Sequence, residues 1–293
     1  MDIVKKDQKH CSPSMAKGSS NTCFSREFLV LIANIYNQSH QDDTIPIKKS
    51  KMALWKSIDS KMKKTCGSKE SCWIEQPFIK NQTPIYSQLE KSFRPAKPLS
   101  WYENENEWLN TYDILNVMNQ YQESDKSFKF VGVFPIDFAA KSDDGTCVVQ
   151  QMCNLDFKQL WKEKIKKVGI IFNTDKHNQS GSHWISMFIG LNPKAKNYGI
   201  YFYDSVAMKP PKELVVFMKN SQKELIALHP KYADKLHTLV NRKRRQYSST
   251  ECGVYAMVFI ISMLKQTFEF VCEHMGKDNI IETFRDVLYR PSK

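Results

Sequence analysis

Cys252 opens the run CGVYAMVFIISML, a helical pattern that is apolar on nearly every face, and a thiol in that place has the makings of a nucleophile. A thiol attacks carbonyl carbon as its thiolate, and the unpaired N–H groups and dipole at a helix start favour negative charge. Gly253 behind it lets another part of the chain approach closely. Other cysteines lack this setting: Cys272 closes an apolar stretch and reads as core filler, while Cys23 lies in a polar segment and reads as a surface thiol.

A nucleophilic thiol needs a base, and only His183 among the histidines heads a strand pattern, just after the turn sequence 178–182. A lone histidine is more often structural than catalytic, so a partner that fixes its ring is required. Asp204 meets that requirement by counting. If 183–190 and 198–204 form a hairpin around the loop 191–196, His183 faces Asp204, Ile185 faces Phe202 and Met187 faces Ile200, with Trp184 opposite Tyr203 on the other side. The competing reading has Asp204 simply capping the turn with Ser205. A tetrahedral intermediate also needs donors at its oxyanion, which a helix start and a side-chain amide can supply. Gln246 lies six residues before Cys252, though a glutamine in a polar loop reads by itself as surface solvation.

The elements that must position these residues fall into two textures. Ser25 is a candidate N-cap for a helix from Arg26 through REFLVLIANIYNQ. A second helix is expected over 52–62, with Leu54, Trp55, Ile58 and Met62 on one face, and a third over 107–121, with Trp108, Leu109, Tyr112, Leu115 and Met118. Residues 1–125 thus read as a mostly helical arm domain, in which 1–24, rich in polar residues, suits a loose segment. After the polar stretch 123–127, β-rich runs follow at 128–134, 168–173, 183–190, 199–204 and 236–241. A helix after Pro210 and Pro211, the apolar helix from Cys252 and a last one near 279–289 complete an α+β domain over 126–293: a central sheet of about five strands packed by helices.

Bulk properties set the outer bounds. With 293 residues, 41% hydrophobic and 25% charged, the chain is expected to fold around a real core. Its first residues lack the apolar centre of a secretory signal and no stretch approaches a membrane span, which points to a reducing cytosol. The eight cysteines are therefore expected to be mostly free thiols. Five residues separate Cys66 from Cys72 and Cys147 from Cys153, which matches no common zinc knuckle, so neither a metal nor another cofactor is expected. The net charge of +12 attracts acidic or phosphate-rich partners. No nucleic-acid reading motif accompanies it, and the run Arg242, Lys243, Arg244, Arg245 either solvates a loop or contacts nucleic acid or an acidic polyprotein segment.

Three stretches together resemble the ubiquitin-like-protein protease superfamily, which includes the SUMO proteases and the adenovirus protease: HW at 183–184, YDS at 203–205 and QYSSTECG at 246–253. Members share the chain order His, Asp (or Asn or Glu), Gln, Cys, a permutation of the papain order. FNTDKHNQSGSHWISMFI at 172–189, TECG at 250–253 and ESCWIEQP at 70–77 extend the resemblance to the polyprotein-processing proteases of African swine fever virus and related large DNA viruses. It covers most of 128–265 and reaches into the helical N-terminal part. Asp204 stands where the African swine fever virus enzyme has Asn; Asp is the usual SUMO-protease residue.

The resemblance implies a permuted papain-like core and a cysteine endopeptidase in which Cys252 attacks, His183 takes its proton, Asp204 holds the imidazole and Gln246 donates to the oxyanion. Trp184 walls a narrow substrate channel and, with Gly253, makes up the substrate-binding pair. The implied substrate is a viral structural polyprotein, cut after a glycine-containing (Gly-Gly-Xaa-like) motif at assembly sites in the host cytoplasm and in the virion. The rival readings are removal of ubiquitin-like modifiers, acyl transfer by the same Cys and His, and a non-enzymatic nucleic-acid-binding scaffold.

Overall fold

The computed structural model describes residues 9–16 and 22–292, which form two compact units. One spans Pro98–Asp286 and holds the sheet; the other spans Lys5–Lys97 together with Val287–Lys293. The division falls near residue 97 instead of 125, because the helix Thr111–Ser124 belongs with the sheet. Gln122 Oε1 accepts the N–H of Phe130 at 2.9 Å, and Asp125 pairs with Lys167 at 3.0 Å. The last residues likewise leave the sheet unit, since Arg290 and Pro95, and Lys97 and Arg290, exchange backbone hydrogen bonds.

The sheet has five strands in chain order: β1 (Phe128–Pro135), β2 (Lys167–Asn173), β3 (Trp184–Gly190), β4 (Gly199–Tyr203) and β5 (His237–Val240). It is mixed, with β1 parallel to β2, β3 antiparallel to both neighbours, and β5 parallel to β4. Strand positions agree with the expectation to within a residue or two. The β3–β4 register does not: Met187 faces Phe202 and Ile189 faces Ile200, two residues away from the expected pairing. Two glycines set this register. Gly190 pairs with Gly199, and a Cβ on Gly190 would lie 1.6 Å from the carbonyl oxygen of Asn197, while one on Gly199 would lie 2.3 Å from that of His237. An offset of two keeps every side chain on its face, so His183 and Asp204 stay on one side of the sheet, as neighbours on the diagonal.

All twelve residues of the helix Cys252–Met263 are buried, as its apolar pattern requires, and it packs on β3. Phe259 stacks on Tyr203 with ring centres 4.7 Å apart. The helix after Pro211 runs over Lys212–Leu228. The expected third helix starts at Thr111, not at 107, because Asn110 caps it: Oδ1 accepts from Tyr112 and Asp113, and Asp113 Oδ2 accepts from Asn110 N at 2.9 Å. Trp108 and Leu109 therefore sit in the preceding extended segment. The last expected helix is two short ones, Asp278–Ile281 and Phe284–Leu288.

In the other unit, Ser25 caps the helix Arg26–Ser39 as expected, and the helix Lys51–Cys66 follows. Residues 1–8 and 17–21 lie outside the described residues; the rest of the expected loose arm is packed, with Cys11, Cys23 and Phe24 buried. Glu70 anchors it from below, accepting from Thr22 Oγ1, the N–H of Cys23 and Trp55 Nε1 at 3.0, 2.8 and 2.8 Å. The expectation of mostly free thiols is overturned by three disulfides, Cys11–Cys23, Cys66–Cys72 and Cys147–Cys153. The two equal spacings are thus cross-links between close turns. Cys252 and Cys272 are the free cysteines among the described residues. No helix of the described residues is long and apolar enough to cross a membrane.

Candidate active site

Four elements of the sheet unit converge at one end of the helix Cys252–Met263. Cys252 is its first residue and is 3% exposed. Glu251 stands at the cap position, yet its buried carboxylate turns to Arg285, with Arg285 Nε at 3.2 and 3.1 Å and a terminal nitrogen at 3.0 Å. The positive end of the helix is thereby left to Cys252. Gly253 is closely crowded: a Cβ there would lie 2.8 Å from Leu109 Cδ1 and 3.1 Å from Trp184 Cδ1. Trp184 Nε1 in turn donates to the carbonyl of Leu109 at 2.9 Å.

His183 precedes β3 and Asp204 follows β4, and His183 Nε2 lies 2.7 Å from Asp204 Oδ1. The remaining ring nitrogen, Nδ1, is the one left for Cys252, whose side chain is near enough to act on the ring electrostatically. Burial pulls the His183 pKa down, but the hydrogen bond to Asp204 and the negative charges of Asp204 and Cys252 outweigh it, and the ring is pushed up to about 9. Cys272 differs: burial drives its thiol up to about 12, and the nearby Glu269 adds to the rise.

Asp204 does both things that the sequence offered as alternatives. Its Oδ1 accepts the N–H of Val206 and its Oδ2 that of Met208, which caps the turn, while Oδ1 also faces His183. Asn241, just past β5, clamps its backbone: Oδ1 accepts from Asp204 N at 2.8 Å and Nδ2 donates to Asp204 O at 2.6 Å. Gln246, 2% exposed, is brought into the same cluster and is not a surface residue. The loop that carries it hangs on Asp278, whose Oδ2 accepts from Tyr247 N and Ser248 N, both at 2.8 Å.

Sequence reasoning missed Asn241, Asp278 and the Glu251–Arg285 pair. Of these, only Asn241 left a trace, as the polar residue ending the β5 pattern. The basic run is also broken up. Arg245 is buried and donates to the carbonyls of Cys272 and Glu273, whereas Arg242, Lys243 and Arg244 are exposed, with Arg244 stacked on Tyr247. A charged surface thus loses one of its four expected members. Beside Trp184 opens a groove of about 430 Å³, lined by Trp108, Leu109, Phe134, Asn173 and Asp175 among others.

A thiol at a helix start, beside an imidazole that a carboxylate holds, is an arrangement for nucleophilic attack on a carbonyl. Comparisons with known proteins agree with that chemistry. The profile of the Ulp1 protease family, C-terminal catalytic domain, matches residues 107–288. A thiol protease of Acanthamoeba polyphaga mimivirus is 30% identical over 97% of this chain and 94% of the relative. A cysteine protease of African swine fever virus (isolate Tick/Malawi/Lil 20-1/1983) is 23% identical over 85% and 92%. The crystal structure of an African swine fever virus protease shares the fold, with a TM-score of 0.72 and 18% identity over 100% of this chain and 99% of that one. With the family profile matched over most of its length and a relative aligned nearly end to end, this chain belongs to the Ulp1 protease family and is a cysteine protease.

Proposed function

We propose that the protein is a viral maturation protease that cuts polyproteins after a glycine-containing motif, with Cys252 as nucleophile, His183 as base and acid, Asp204 as orienting group and Gln246 as oxyanion donor. The bond of 2.7 Å between His183 Nε2 and Asp204 Oδ1 carries this reading, because it fixes the ring with Nδ1 toward the sulfur. Cys252 passes its proton to His183 and its sulfur bonds to the scissile carbonyl carbon. The oxyanion meets the Cys252 N–H and Gln246 Nε2. The carbonyl re-forms as the C–N bond breaks, and imidazolium gives its proton to the leaving amine. Water, deprotonated by His183, then displaces the thiolate from the thioester and returns the site to its start.

Glycine specificity rests on the groove. Trp108, Phe134 and Trp184 wall it with large rings, and Gly253 lets Trp184 press down onto the helix, which favours small residues in a chain passing there. The viral setting rests on the mimivirus and African swine fever virus relatives. The three disulfides favour the interior of the virion over the reducing host cytoplasm as the place of action. The name of a further relative, an African swine fever virus "SUMO-1 cysteine protease", favours a second reading, removal of a ubiquitin-like modifier.

Peptides with Gly-Gly before the cut, and the same series with Ala or Leu in place of the last glycine, test the specificity. A steep fall from Gly to Leu is expected, and equal rates would sink the channel argument. A viral core polyprotein and a SUMO conjugate, assayed side by side, decide between the two substrates, with Cys252→Ala as the inactive control.

A further inference from the structure

We propose that Ser205 is a positioning residue that, together with the Ser248 carbonyl, holds the Gln246 amide with its donor end toward the reacting carbonyl; this rests on the reading of Gln246 as oxyanion donor. A glutamine amide has a donor end and an acceptor end of nearly the same shape, and a half-turn about its last bond exchanges them. Only Nε2 can stabilise an oxyanion. Oε1 in the same place would repel it.

The surroundings of Gln246 resolve this ambiguity. Ser205 and Gln246 are 1% and 2% exposed, so bulk water does not arbitrate. The Ser205 hydroxyl donates to Gln246 Oε1 at 2.5 Å, and Gln246 Nε2 donates to the carbonyl of Ser248 at 2.9 Å. A carbonyl can only accept, so a reversed amide would set Oε1 against the oxygen of Ser248. The second hydrogen of Nε2 is left for the oxyanion. Ser205 also holds the start of the glutamine, since its own carbonyl accepts the N–H groups of Arg245 and Gln246 at 2.8 and 3.0 Å. Removing the hydroxyl leaves a buried acceptor without its donor and the amide held by the Ser248 carbonyl alone, so Nε2 is less firmly aimed at the oxyanion.

The full chain is tested as wild type, Ser205→Ala, Ser205→Thr, Gln246→Ala and the Ser205→Ala/Gln246→Ala double variant. Two rates are measured: hydrolysis of a Gly-Gly peptide bearing a fluorogenic amine, split into kcat and KM, and alkylation of Cys252 by iodoacetamide. Alkylation joins the sulfur to a saturated carbon and expels iodide, so it builds no oxyanion and reports only the fold and the Cys252–His183 pair. Ser205→Ala is expected to lower kcat about tenfold or more, toward the roughly hundredfold loss of an oxyanion donor in Gln246→Ala. KM and alkylation stay within about twofold of wild type, Ser205→Thr recovers most of kcat, and the double variant is no worse than Gln246→Ala.

Losses that multiply in the double variant, or alkylation that falls in step with kcat, overturn the proposal by making Ser205 merely structural. Unchanged kcat in Ser205→Ala beside a large loss in Gln246→Ala overturns it alone. Unchanged kcat in Gln246→Ala overturns the reading of Gln246 and this proposal with it.

Discussion

Replacing Asp204 by Asn should move the alkaline limit of activity, because that limit belongs to His183. In the proposed mechanism the imidazolium donates the proton that lets the amine leave, so activity falls as the ring deprotonates. Burial works against the charged ring, but Asp204 and Cys252 raise its pKa from 6.5 to about 9, which at about 1.4 kcal/mol per pH unit is roughly 3 kcal/mol in favour of imidazolium. The side chain is 20% exposed, so most of this survives solvent screening. Asn keeps the shape and can still accept from Val206 N, but it removes the charge. The alkaline limb of kcat/KM should drop by about one to two pH units, with activity near neutrality largely kept. Stability follows the same linkage. A folded pKa above the unfolded one stabilises fully below pH 6.5, and the benefit fades as pH rises through about 9, so wild type and Asp204→Asn should differ most in Tm near pH 6 and converge above pH 9. Rate profiles from pH 5 to 10 with thermal unfolding at each pH supply both tests. An unmoved alkaline limb, or a Tm gap that widens with pH, refutes the reasoning.

Gly253→Ala forces a methyl to within 2.8–3.1 Å of Leu109 and Trp184, which should cost about 1–3 kcal/mol and raise KM by displacing Trp184; thermal unfolding and steady-state kinetics report both. Arg285→Met strands the fully buried Glu251 carboxylate beside Cys252 and should destabilise by roughly 3–5 kcal/mol in denaturant titration, with Glu251→Gln in the same chain recovering much of it. Brief iodoacetamide treatment at pH 8 without reductant should label Cys252 alone by peptide mass spectrometry, since burial pushes the Cys272 thiol up to about 12 and the other cysteines are paired.

The sheet was legible because strand alternation and turn residues are local signals, and the pairing of His183 with Asp204 survived a register error because an offset of two changes no faces. The steric demand of Gly190 and Gly199, which set that register, involves the Asn197 and His237 carbonyls and could not be read from spacing. The Asn110–Asp113 capping box was visible in the sequence, and weighing it would have placed the helix start at Thr111 and freed Leu109 for its contact with Trp184. Cysteine count and compartment argued for free thiols, but pairing depends on which turns the fold brings together. Gln246 was recoverable only through resemblance, for the Ser205 hydroxyl that buries and holds its amide lies 41 residues away along the chain.

The end of β4 thereby links the two halves of the proposed chemistry. Asp204 and Ser205 are consecutive where β4 gives way to a turn, and there one side chain reaches His183 and the other Gln246. The base that makes the nucleophile and the donor that receives the oxyanion are thus set from one short stretch of backbone. That stretch is held by the fully buried β4 on one side and by the paired hydrogen bonds of Asn241 on the other. Cys252 is fixed independently, by a helix buried along its whole length. Attack requires the strand end and the helix start to keep their separation. In the proposed mechanism the residues that hold each in place, Asn241, Asp278 and Arg285, matter for that reason although none of them takes part in the bond changes.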